Sequence, residues 1–229
     1  MTSDAPDFAQ LRRNMVDNQL RTFSITDRTV LDAMQNVPRE KFVPADKASI
    51  AYSDQALMIG SGQGGRRLLT PMVLARMAQA AEISRSDRIL DVGGGAGYSA
   101  AVLARLGGEV VALEVDEALV REAGANLTRA GVTNAKAVCG PLEAGFAAGA
   151  PYDVIFVNGM IEVQPEALLA QLKANGRLVA IRKSPGDTTG RAGRAVVIEK
   201  SGASLGEREV FDASAPVLPG LRAAPAFAF

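Results

Sequence analysis

Apolar positions recur along this chain with two periods, and the order in which they alternate predicts its elements. Phe8, Leu11, Met15, Val16 and Leu20 fall at helical spacing. Val30, Leu31 and Met34 predict a second helix, with Thr26 as its N-cap and Ile25 and Val30 placed as a hydrophobic staple. That helix must end near Pro38, and Pro38 and Pro44 then keep the chain extended around Phe42 and Val43. A glycine-rich loop runs from Gly60 to Arg67. Thr70–Pro71 reads as the N-cap and first position of a helix carrying Val73, Leu74, Met77 and Ala81.

From residue 88 onward, short apolar runs alternate with helical patterns. Strands are predicted over 88–92, 109–114, 135–139, 152–157, 177–182, 194–200 and 207–212. Helices fill 97–106, 117–130 and 165–173, the last opened by Pro165 and closed by Asn175–Gly176. The alternation predicts an α/β fold, a doubly wound and mostly parallel seven-stranded sheet with helices on both faces. The turn Ser201–Gly202 is too short for a crossover, so the last two strands should form an antiparallel edge hairpin. Ser184 to Gly193 reads as a flexible loop. Three segments result: an N-terminal helical segment with a loop (1–70), the βα core (71–183), and a C-terminal loop with the edge hairpin (184–229).

The segment from Arg88 to Asp116 carries the clearest chemistry. A strand leads into Gly93–Gly94–Gly95–Ala96–Gly97, a helix follows, and a second strand closes on Glu114. This unit holds adenosine-containing cofactors at the carboxyl end of a parallel sheet. The spacing Gly93-x-Gly95-x-Gly97 is tighter than the dinucleotide pattern, whose sixth position here is Tyr98. Bare backbone suits a ligand that brings a carboxylate and a ribose rather than a pyrophosphate. Glu114 stands 21 residues after Gly93, where a carboxylate can accept from both ribose hydroxyls. S-adenosylmethionine fits this description better than NAD.

Composition narrows the reaction. The 229 residues are 48% hydrophobic, enough for one compact domain with an added segment that buries roughly 70–75% of its unfolded surface. The 25 basic and 25 acidic side chains cancel, which gives non-specific nucleic-acid binding little support. No apolar stretch is long enough to span a membrane and no signal-like segment opens the chain, so no membrane partner is expected. The single cysteine, Cys139, cannot form an internal disulfide; it reads as a small buried core residue in a cytoplasmic protein. Histidine is absent. That removes the usual general base, the usual zinc ligand and Ser-His or Cys-His nucleophile pairs, and no metal site is expected.

Outside the glycine loop, three stretches carry a more specific pattern: MVDNQLRTFSITDRTVLDAMQNVPREKFVP, AYSDQALMIGSGQ and TPMVLARM, followed by ILDVGGGAGYSAAVLARL. From about Met15 to Val179 the chain resembles the protein-L-isoaspartate O-methyltransferase family. The resemblance implies a class I, Rossmann-like methyltransferase fold and a cytosolic enzyme. It also implies S-adenosyl-L-methionine as cofactor and isoaspartyl residues of damaged proteins as the methyl acceptor. It fits the missing histidine, because a carboxylate is already ionised at pH 7 and needs no base. In this reading Gly93, Gly95 and Gly97 wrap the methionine and ribose, Asp91 meets the amino group through the loop or a water, and Glu114 takes the ribose hydroxyls.

Three departures from the family pattern bear on the acceptor. After Gly62–Gln63 the segment GGRRLLT is three residues longer than its counterpart, and Leu69 stands where the family places a serine associated with the acceptor carboxylate. Arg66 and Arg67 could recognise a carboxylate instead, and Thr70 could supply a hydroxyl if it is not simply a cap. Where the family has Gly-Asp-Gly to meet adenine, this chain has Gly140–Pro141–Leu142, leaving adenine to packing on Leu142 or to Glu143 and implying weaker cofactor affinity. Asn158 in Val157–Asn158–Gly159 is either a turn-former or a wall of the cleft. Two alternatives stay open: a small-molecule carboxylate or other acceptor in the same cleft, and a non-catalytic binding protein on the same fold.

Overall fold

The computed structural model describes residues 6–60, 66–184, 186–187 and 192–224. The tip of the Gly60–Arg67 loop and half of the Ser184–Gly193 loop lie outside these residues. A seven-stranded sheet runs in the order β3-β2-β1-β4-β5-β6-β7. Its strands are β1 (Arg88–Val92), β2 (Glu109–Glu114), β3 (Ala135–Cys139), β4 (Tyr152–Ile161), β5 (Leu172–Lys183), β6 (Gly193–Ser201) and β7 (Ser204–Ala213). The first five pair in parallel, while β6 and β7 run antiparallel as the hairpin at the edge.

The helices are α1 (Phe8–Met15), α2 (Arg28–Asn36), α3 (Pro71–Ala80), α4 (Tyr98–Leu106), α5 (Glu117–Arg129) and α6 (Glu166–Ala170). Two apolar layers sandwich the sheet. One gathers Met15, Leu20, Met34, Phe42, Leu74 and Leu103 against Val110, Val154 and Val179; the other gathers Leu142, Leu168, Leu169 and Leu218 against Val92, Leu113 and Ile155. Alternate strand residues feed opposite layers, as a sheet buried on both faces requires.

Five local expectations change. Asp27, not Thr26, caps α2: its Oδ1 accepts from the Thr29 and Val30 amides at 2.7 and 3.3 Å, and the Thr26 amide donates to Gln79 Oε1. The stretch between Pro38 and Ala51 is not extended but coils into two short 3-10 helices, Arg39–Phe42 and Ala45–Ile50. The predicted 165–173 helix is shorter, because Asn175 takes a left-handed φ of 62° and the chain has already entered β5. Cys139 is exposed rather than buried, since β3 is the outermost strand on its side and this residue is its last. Finally, β4 does not stop at Val157: it continues through Asn158 and Gly159 to Ile161, with two extra residues opposite β5 between Phe156 and Met160.

The chain winds from β1 towards β3 on one side and from β4 towards β7 on the other. The switch between β1 and β4 opens a crevice at their carboxyl ends, where such sheets bind ligands.

Candidate functional site

Asp91 near the end of β1 is fully buried, with Ser99 Oγ donating to its Oδ2 at 2.7 Å and Asn158 Nδ2 to its Oδ1 at 2.5 Å. Asn158 also donates to the Val92 carbonyl at 3.2 Å. The β4 irregularity thus puts Asn158 into the crevice as a donor to Asp91, not into a turn. Burial pushes the Asp91 carboxyl up to about 7; the two donors pull it down, and the nearby Glu114 charge raises it further.

The glycine loop follows from these contacts. A Cβ on Gly94 would lie 2.4 Å from Ser99 Oγ and 2.5 Å from Asp91 Oδ2, so only glycine lets the backbone pass this close to the carboxylate. Gly93, Gly95 and Gly97 all take left-handed φ angles, of 72°, 64° and 93°. Glu114, at the end of β2, is 3% exposed and fixes the loop: its Oε1 accepts from the Gly95 amide at 2.9 Å and its Oε2 from the Val115 amide at 3.0 Å. Asn126 of α5 donates to the Ala96 carbonyl at 2.9 Å from the other side.

Arg66 closes over this half. Ile59 and Leu68 pair back across the loop base, with Ile59 N to Arg66 O at 2.7 Å and Leu68 N to Leu57 O at 2.9 Å. That short antiparallel pairing aims Arg66 at Glu114, Nη2 donating to Oε2 at 3.1 Å and Nε standing 2.8 Å from Oε1. Ile59 and Arg66 cover Gly95 closely, since a Cβ there would meet Ile59 Cδ1 at 2.1 Å and Arg66 Cγ at 3.1 Å. Leu142, fully buried, packs with Leu113 and Leu218 under Gly93, whereas Glu143 is exposed and lies against the turn at Gly220.

The other half of the crevice receives the C-terminal segment. Met160 N donates to Pro216 O at 2.9 Å, Leu218 N to Met160 O at 3.0 Å, and Glu162 N to Leu221 O at 2.8 Å. Between this segment and the loop base lies a pocket of about 230 Å³ lined by Arg66, Arg67, Asn158, Pro216, Leu218 and Arg222. A smaller cavity of about 10 Å³ lies deeper, where Arg67 and Asn158 are joined by Arg39, Gly94, Tyr98 and Ser99. Thr70 does not join them: its Oγ1 accepts from the Val73 amide at 3.3 Å and caps α3.

Sequence reasoning therefore brought Asp91, the three glycines, Glu114, Arg66, Arg67 and Asn158 to one crevice. It missed Ser99, Arg39, Leu218 and Arg222. The apolar run Val217–Leu218–Pro219 after the hairpin was the available sign that the C-terminal segment packs inward.

A switch-point crevice with a left-handed glycine loop on β1 and a buried acid ending β2 defines the class I methyltransferase architecture. The family described as protein-L-isoaspartate(D-aspartate) O-methyltransferase (PCMT) matches residues 10–203. The chain belongs to that family. It is 45% identical over 184 residues to the protein-L-isoaspartate O-methyltransferase of Methylorubrum extorquens, covering 80% of this chain and 79% of the relative. The Shewanella sediminis protein-L-isoaspartate O-methyltransferase 2 is 42% identical over 178 residues, 78% of this chain and 72% of that one. A solved protein-L-isoaspartate O-methyltransferase superposes with a TM-score of 0.79 at 27% identity, over 91% of this chain and 66% of the other. A Plasmodium falciparum structure, described as a complex with S-adenosyl-L-homocysteine, shares the fold with a TM-score of 0.75 at 21% identity, over 90% and 97%.

Proposed function

We propose that this protein is an S-adenosylmethionine-dependent methyltransferase acting on the carboxylate of isoaspartyl residues in proteins. The observation that carries the reading is the family match over residues 10–203, joined to a crevice that holds the glycine loop and Glu114 together. The donor set suits the cofactor. Glu114 offers a carboxylate for a ribose diol, Gly93 to Gly97 offer bare backbone, and Asp91 with Asn158 and Ser99 offers acceptors beside the loop for an amino group. Leu142 supplies an apolar floor under Gly93, and Glu143 the carboxylate nearest the Gly220 turn.

Held by Glu114 and the Gly93–Gly97 loop, the cofactor would supply a methyl group activated on a sulfonium, with the thioether as leaving group. The chain's residues do the rest by placement. The acceptor carboxylate arrives ionised, so no side chain has to remove a proton. Arg67 and Arg222, which line the pocket, draw an anion inward, and the segment Pro216–Leu221 excludes water from the crevice. In this reading the described residues of segment 1–70 contribute Arg39 and Arg67 to the acceptor side, segment 71–183 the cofactor core, and segment 184–229 the edge hairpin and the cover Pro216–Leu221. The reading places the protein in the cytoplasm. Among the described residues no helix is long and apolar enough to cross a membrane.

Labelled S-adenosylmethionine with an isoaspartyl peptide is the direct test. A base-labile methyl ester, absent with the aspartyl isomer, is the expected product; an unlabelled peptide at full cofactor occupancy sinks the assignment. The three arginines of the 230 Å³ pocket favour one second reading, a small carboxylic acid as acceptor. S-adenosylhomocysteine release across a panel of such acids, with none from the peptide, would select it.

A further inference from the structure

Arg39 heads the large side chains that are fully buried, and it is a cation. Its Nε donates to the Ala51 carbonyl and its Nη2 to the Leu69 carbonyl, both at 2.8 Å, and its guanidinium carbon lies 4.7 Å from the centre of the Tyr98 ring. Among the described residues no carboxylate is within ion-pairing distance, and Nη1 has no hydrogen-bond acceptor. Burial works against the charge, while Tyr98, Tyr52 and Asp54 favour it. Arginine nonetheless stays protonated in proteins. A buried charge without a counter-ion is among the costliest arrangements a core can hold. Stapling the Arg39–Phe42 turn to residues 51 and 69 needs only two of its nitrogens.

Arg39 also borders a cavity. Arg39 lines the 10 Å³ cavity together with Gly94, Ser99 and Asn158, at the end of the glycine loop where the reacting groups must meet. That volume is about one oxygen-sized sphere. The cavity borders the 230 Å³ outer pocket and shares Arg67 and Asn158 with it, so these two side chains stand between Arg39 and the outer pocket. Leu69, whose buried side chain has no hydroxyl, presents only its carbonyl here, and Arg39 holds it.

We propose that Arg39 grips the acceptor carboxylate: one carboxylate oxygen enters the inner cavity and accepts from Nη1, which turns the other oxygen towards Gly94 and the methyl donor. The proposal rests on the methyltransferase reading above. It gives the uncompensated cation its counter-ion, and it makes that counter-ion the substrate. Because Arg39 has no anionic partner in the resting fold, removing it strands no opposite charge.

The test compares wild type with Arg39→Gln, using S-adenosylmethionine and an isoaspartyl peptide in two forms, the free carboxylate and its carboxamide. Hydrogen bonds to charged groups carry about 1.5–3 kcal/mol, so the KM for the carboxylate peptide should rise by about 10-fold or more. S-adenosylhomocysteine affinity should stay within about twofold. Wild type, loaded with S-adenosylhomocysteine, should bind the carboxylate peptide and reject the carboxamide; the variant should lose that preference. The melting temperature of the variant should fall, because the Ala51 and Leu69 carbonyls lose their donor, so the KM and the carboxylate preference carry the test. A lower melting temperature with an unchanged peptide KM would reduce Arg39 to a structural staple. Lost S-adenosylhomocysteine affinity with unchanged peptide KM would give Arg39 to the cofactor's carboxylate, and either result overturns the proposal. Should Arg39→Gln not fold, Arg39→Met replaces it and carries the same comparison. A wild type that leaves the peptide unmethylated overturns the methyltransferase reading itself, and this proposal with it.

Discussion

The two halves of the crevice are built by opposite strategies. The glycine-loop half is local: Asp91, Gly93 to Gly97, Ser99 and Glu114 lie within 24 residues of each other and are fixed by strand ends, left-handed glycines and backbone amides. The acceptor half is assembled from afar. Arg39, Arg67, Asn158, Leu218 and Arg222 come from three segments that touch only when the whole chain has packed. The first half is a rigid cradle whose chemistry follows from spacing. The second is a set of charges whose meaning depends on which side chains face one another. Asn158 joins the two, since its amide holds Asp91 while its side chain lines the outer pocket.

The largest effect should come from the cradle. Glu114→Ala removes the acceptor for two ribose hydroxyls together with the partner of the Gly95 amide. Cofactor affinity, measured by calorimetry, should fall by about 100-fold, as expected for two charge-assisted hydrogen bonds. Unchanged affinity would mean that the ribose does not sit at β2.

Next comes the link between the halves. Asn158→Ala takes a donor from a buried carboxylate and should destabilise the cofactor-free protein by about 2 kcal/mol at pH 8. The sign with pH follows from the raised Asp91 pKa. A carboxyl pushed up to about 7 contributes stability that is complete below its ordinary value near 4 and is lost as the pH climbs through 7. Wild type should therefore lose stability between pH 4 and 8, and Asp91→Asn should flatten that slope in urea titrations. Equal slopes would place the titrating group elsewhere. The destabilisation by Asn158→Ala should shrink at pH 5, where Asp91 carries its proton.

Arg66→Ala tests the contact that crosses from one half to the other. The pair with Glu114 is nearly dry, with side-chain exposures of 9% and 4%. Ribose and Arg66 compete for one carboxylate, so the variant should melt lower without ligand yet bind S-adenosylhomocysteine about 5-fold more tightly, the scale of one modest ion pair. Weaker binding instead would make Arg66 a cofactor ligand. The smallest effect belongs to Cys139. Exposed at the end of β3, it should react with a thiol reagent in the native protein, and Cys139→Ser should change cofactor affinity by less than about twofold.

Legibility followed the same divide. β1, β2, β3 and the glycine loop could be read because each is a contiguous pattern with its own punctuation, and β3 ends where expected. Asn158 was half legible: Asn-Gly reads equally as a turn and as a wall of the cleft, and it is the continuation of β4, with its two-residue irregularity against β5, that decides between them. Arg39 was silent for a different reason. A charged residue after Pro38 looks like surface, and no local signal announces a guanidinium buried over the Tyr98 ring. Thr26 lost the cap to Asp27 by one residue, within the precision of any pattern at a helix start. The C-terminal cover was missed because it follows two edge strands, where chains usually leave the fold.

That cover has a bearing on synthesis. Ribosomes deliver the chain from its N-terminus, and the local cradle can form as soon as β1, α4 and β2 emerge. Pro216 to Leu221, which lie along β4 and seat Leu218 beneath Gly93, emerge only after the whole sheet. A nascent chain thus carries an open, apolar trough over its glycine loop until Pro216 to Leu221 close it. Tight binding of cofactor then waits for this segment, and a chain stalled near residue 215 should have formed its sheet yet bind its ligand weakly.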